Sequence, residues 1–183
     1  MPYFNSRDVA AIAICSALWG VLNSILSPMF FRMFQLPFLC DIIGFASLIL
    51  VAWWTRKFGA ATAVGLIATV INFMLMPTAL HFFGFTVASL VFDVLTRLLG
   101  YRNCFEKALI GTISLVSISV LSAFVAGSII GAFFMEAPAL ARWGGILGWA
   151  GLHAVGGVIA GFIGAPLTTA LTKRGIPAKP VQK

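Results

Sequence analysis

Apolar tracts occupy residues 9–28, 36–54, 58–76, 80–100, 107–134 and 143–172, leaving only short breaks between them. That succession limits the fold more than any other feature. About 20 apolar residues are enough for one helix to cross a bilayer, and each tract reaches or approaches that length. Only 9% of the 183 residues are charged, against roughly 25% in soluble domains, so a water-facing surface cannot be made from this chain. The expected fold is an all-α integral membrane protein of six transmembrane helices. Residues 1–174 form a single membrane domain and 175–183 a short polar tail.

The breaks have local causes. Ser27-Pro28 and the region of Arg32 are expected to end the first span, and Thr55-Arg56-Lys57 to separate the second from the third. Pro77 closes the third, because proline has no amide proton for a helix interior. Tyr101-Arg102-Asn103 divides the fourth from the fifth, and Glu136 to Arg142 divides the fifth from the sixth.

Charge then orients the chain. With six spans, Arg7, Arg56, Lys57, Arg97, Arg102, Lys107, Lys173, Arg174, Lys179 and Lys183 share the side of the termini, and only Arg32 and Arg142 face the other. Basic residues concentrate on cytoplasmic loops, so both termini are expected in the cytoplasm and the protein in the cell membrane. The formal net charge of +7 is accounted for by this bias rather than by nucleic acid. Cys15, Cys40 and Cys104 form neither a disulfide framework nor a zinc motif.

Small residues Ala10, Ala13, Ala17, Gly20 and Ser24 recur at intervals of three or four along the first span and so lie on one helix face. Such faces let helices approach closely in lipid, where hydrophobic drive between helices is weak. The spacing suits a neighbour in the same chain or in another. The last span carries Gly144, Gly148, Gly151, Gly157, Gly161 and Gly164, which fit tight packing better than a helix broken around a ligand.

Ionisable and polar groups within the spans need partners or a purpose. Asp93 and Arg97, four apart, are expected to pair near the cytoplasmic end of the fourth span. Asp41, Asn72, His81, Glu136, Trp149 and His153 come from five spans yet share the external half of the membrane, and are the candidate ligand-binding residues. Each also has a plain alternative: His81 at the interface, Glu136 solvated in a loop. No GxxxxGK[ST] loop, HExxH pair or GxSxG elbow occurs. The chain is therefore read as a non-enzyme without metal or cofactor, drawing on another subunit or an ion gradient for any uphill transport. A membrane enzyme acting on a lipid or isoprenoid is the alternative.

The six spans and the run Arg7-Asp8-Val9-Ala10-Ala11-Ile12-Ala13-Ile14-Cys15-Ser16-Ala17-Leu18-Trp19, with its AxxxA pair, resemble the substrate-binding S components of energy-coupling factor (ECF) transporters. Arg56-Lys57-Phe58-Gly59-Ala60-Ala61 is similar to the hydroxymethylpyrimidine/thiamine-related branch. The resemblance implies a vitamin-like substrate taken at the external face. It also implies a transmembrane coupling subunit that Ala13 and Ala17 would contact, and separate ATPase subunits that power uptake. Met1-Pro2-Tyr3 departs from the early histidine of the cobalt and nickel members, which argues against a metal cargo. A cationic thiamine-like ligand would suit Asp41 and Glu136 beside tryptophan.

Overall fold

The computed structural model describes residues 3–176; most of the predicted tail, 177–183, lies outside the described residues. Helices make up 85% of the structure, and no strand occurs among the described residues. Helix α1 (Ser6–Phe34) starts at a reciprocal cap, in which the Asn5 side chain accepts from the Asp8 amide and the Asp8 carboxylate accepts from the Asn5 amide. It does not stop at Pro28, as the sequence suggested, but runs through it to Phe34. In apolar surroundings continuing the helix remains the cheapest way to satisfy the other backbone groups, so an internal proline is tolerated.

Helix α2 (Phe38–Thr55) follows a tight connection at Pro37 and ends at Arg56 in the left-handed region, φ 49°. Gly59, φ 90°, turns the chain into α3 (Ala60–Leu75). At 16 residues α3 is about 24 Å long, short of the other long helices because Met76-Pro77 cuts it off. Helix α4 (Phe82–Leu99) is followed by the short α5 (Tyr101–Glu106), then α6 (Ala108–Phe133), the short α7 (Ala137–Arg142) and α8 (Gly145–Lys173). Five helices, α1, α2, α4, α6 and α8, are long and apolar enough to cross a membrane, as in a multi-pass membrane protein. Apolar side chains cover the outside accordingly: Met74, Leu98, Leu109, Phe133 and Leu147 are 74–78% exposed.

The six longer helices close a ring. In order around it, α1 packs on α3, α3 on α4, α4 on α6, α6 on α8, α8 on α2, and α2 back on α1. Trp19, Phe45, Phe85 and Phe92 fill the middle. The α6–α8 contact is backbone against backbone. A Cβ at Gly157 would lie 2.6 Å from the Ser119 carbonyl oxygen, and one at Gly161 would lie 2.6 Å from the Val116 Cα. The later glycines of the last span therefore serve packing within an unbroken helix, although Gly151 faces open space.

At one end of the ring the chain is tied by charge. Lys57 pairs with buried Asp8 at 3.1 Å, and Arg56 with Glu106 at 2.5 Å. Trp53 donates to the Thr172 hydroxyl near the end of α8 at 3.1 Å. Asp93 turns to the start of α3 rather than to Arg97. Its Oδ2 accepts from the amides of Gly59 (2.8 Å) and Thr62 (3.0 Å) and from the Thr62 hydroxyl (2.9 Å). A carboxylate from α4 thus caps the otherwise bare start of α3, where amide donors and the helix dipole favour negative charge.

Candidate functional site: a cavity at the opposite end

The other end of the ring is hollow. A cavity of about 390 Å³ lies where α1, α2, α4, α6 and α8 approach the α3–α4 and α6–α7 connections. Its size falls within the range of small-molecule sites, about 300–1,000 Å³. Phe31, Phe82, Phe85, Phe134 and Trp149 supply aromatic walls. Of the side chains that line it, only Glu136 carries a fixed charge, and that residue is exposed.

Four of the six candidate residues reach this space: His81, Glu136, Trp149 and His153. His81 sits on the loop before α4, with its ring 4.5 Å from that of Phe82. Burial pulls its imidazole down to about 4, so it is neutral at ordinary pH. Trp149 and His153 lie one turn apart on α8 with ring centroids 5.3 Å apart, nearly perpendicular.

The two remaining candidates stand elsewhere. Asp41 is fully buried and does not line the cavity; its Oδ1 lies 2.9 Å from His153 Nδ1. Its other oxygen is closed off by α8, since a Cβ at Gly156 would lie 2.3 Å from Oδ2. Asp41 is thus a positioning residue, and a ligand cation would find only Glu136, not the expected pair of carboxylates. Asn72 is likewise fully buried and outside the lining, its amide donating to the Ala68 carbonyl at 2.8 Å. Its side chain turns back on its own helix and bonds the carbonyl one turn earlier.

Sequence reasoning missed the contribution of α1. Asn23 and Ser27, both buried, line the cavity with Pro28 and Phe31, and Cys40 joins from α2. The Ser27 hydroxyl donates to the Asn23 carbonyl oxygen. An asparagine inside a first apolar tract was the available signal. The small-residue stripe of the same helix masks it.

Three buried polar atoms on lining residues have no partner: Asn23 Nδ2, Trp149 Nε1 and His153 Nε2. Leaving such groups unpaired costs about 1–3 kcal/mol each. The Asp41 carboxylate accepts from Nδ1, which leaves His153 Nε2 at the cavity, an acceptor on a neutral ring and a donor on an imidazolium. The cavity therefore offers two donors and one bare imidazole nitrogen from otherwise apolar walls.

Ala13 and Ala17 are exposed on the outside of α1, whereas Gly20 on the same stripe is buried against Ile71 of α3. The AxxxA pair is thus left unused by packing within the chain. Among the described residues, no group of three His, Cys, Asp or Glu side chains comes together. No family model, curated protein or solved structure matches the chain.

Proposed function

We propose that this protein is the substrate-capture subunit of an ATP-driven micronutrient importer, an S component of the energy-coupling factor type. In this reading α3 counts as a sixth, short span, both termini are cytoplasmic, and the protein resides in the cell membrane. The charge-tied end then faces the cytoplasm and the cavity faces outward. The substrate is a vitamin or vitamin precursor, in keeping with the resemblance to the hydroxymethylpyrimidine/thiamine-related branch.

The observation that carries the reading is a small-molecule-sized hollow at one end whose buried polar atoms lack partners. Energy enters from elsewhere, because the chain has no phosphate-cradling loop. The exposed Ala13–Ala17 pair on α1 supports docking on a coupling subunit, since small residues allow a close helix approach in lipid. Copurification with a coupling subunit and its ATPases tests the assignment. Ala13→Trp and Ala17→Trp should each abolish uptake while ligand affinity in the isolated chain stays unchanged. Wild-type uptake in both variants would remove the docking role of α1.

A second reading, an enzyme acting on a lipid or isoprenoid, is favoured by the imidazole that Asp41 orients toward the cavity. It lacks a nucleophile on that base, because the Ser27 hydroxyl is committed to Asn23. Turnover by the purified chain alone, abolished by His153→Gln, would establish it over the importer.

A further inference from the structure

The three unpartnered atoms limit what the cavity can hold. Asn23 has spent its carbonyl oxygen on Ser27, so its amide nitrogen remains to donate. The Trp149 indole can only donate. His153, its Nδ1 held by Asp41, leaves Nε2 bare, and a neutral ring there accepts from a donor. All three residues are at least nine-tenths buried, at 0%, 4% and 2% exposure respectively.

Charge narrows the class further. No lysine or arginine lines the cavity, so an anion would lose its hydration without gaining a counter-ion. A cation would need a carboxylate inside, yet Asp41 gives one oxygen to His153 and turns the other, unpartnered, against α8 outside the cavity lining, and Glu136 stands exposed at the mouth. The walls are aromatic, and stacked or edge-on rings gain beyond simple area burial.

Building on the capture role assigned above, we propose that the cavity takes an uncharged, flat nitrogen heterocycle with an amide-like or amidine-like edge. That edge offers acceptors to the Asn23 amide and the Trp149 indole N–H, and an N–H to His153 Nε2. The same edge carried by a thiamine-like cation is disfavoured, because the positive charge would enter a hollow without an inner carboxylate.

Calorimetry on the purified full chain in detergent at pH 7 provides the test. The probes are cytosine, uracil and lumichrome as neutral heterocycles, thiamine as cation and nicotinate as anion. At least one neutral probe should bind tenfold or more tighter than both charged ones. Asn23→Leu and Trp149→Phe should each weaken that probe about tenfold, the equivalent of one lost hydrogen bond near 1.4 kcal/mol. Tighter binding of thiamine or nicotinate, or binding of none of the five, overturns the proposal. The probe ranking is read on the wild-type chain, so a misfolded variant does not blunt it. Copurification of a coupling subunit with a chain that prefers a charged probe would leave the importer standing and this inference refuted. Neutral-probe preference without a coupling subunit would do the reverse.

Discussion

The two ends of the helix ring treat buried polarity in opposite ways. At the charge-tied end Asp93 is answered by three donors, Asp8 by Lys57, and Glu106 by Arg56. At the cavity end Asn23, Trp149 and His153 each keep a bare polar atom beside an open space. The contrast is not total, since the Tyr101 hydroxyl and the Trp54 indole N–H at the tied end also lack partners. What separates the ends is convergence: three bare atoms meet on one aromatic hollow, the arrangement that small-molecule sites use. One end pairs its carboxylates, and the other gathers bare polar atoms around a hollow.

Mutations can break or sharpen that contrast. The largest effect is expected at the one tie that crosses into the cavity end. His153→Leu strands the buried Asp41 carboxylate and should cost about 3–5 kcal/mol of stability, measured by thermal unfolding in detergent. Replacing both partners, Asp41→Leu with His153→Leu, should recover most of that loss, because the penalty belongs to the uncompensated charge. A double variant as unstable as the single one would show that the pair supports the fold rather than the site.

Next comes Asp93→Ala at the tied end. It leaves the Gly59 and Thr62 amides without an acceptor and should cost about 2–3 kcal/mol. Ligand affinity should hold in protein that remains folded. Loss of affinity at this distance would couple the two poles and blur the comparison.

Gly156→Ala should cost about 1–3 kcal/mol, since the new methyl meets Asp41 where no space exists. Its tryptophan fluorescence should shift as His153 moves against Trp149. The smallest effect concerns His81. Its folded value near 4 lies below the ordinary 6.5, so the unfolded chain binds the proton first as pH falls. Stability should therefore be intact above about 6.5 and decline from there toward 4, and His81→Phe should flatten that slope. An unchanged slope would mean that the imidazole is not shielded.

The sequence made the helices legible because uninterrupted apolar length has few other uses. It erred where local punctuation met the bilayer: Pro28 read as a stop, yet the helix continues to Phe34. Pro77 did mark the end of a helix, and α3 emerged shorter than the tract that announced it. Asp41 and His153 were each visible as costly buried groups, but their partnership spans 112 positions and depends on α8 packing against α2. Hydropathy carries no information about which helices become neighbours. Asp93 shows the same limit: a plausible pairing one turn along the helix lost to the amides of a different helix.

The Phe31–Trp149 ring contact, 6.3 Å between centroids, bridges the hollow from α1 to α8, which are not among the principal packing pairs of the ring. A guest settled beneath it would act as a keystone, joining walls that the protein itself leaves loosely spanned. Saturation at a hundred times the dissociation constant would add about 2.7 kcal/mol to the folded state. On the proposed reading the empty protein would be the looser form, and heat resistance would gauge occupancy.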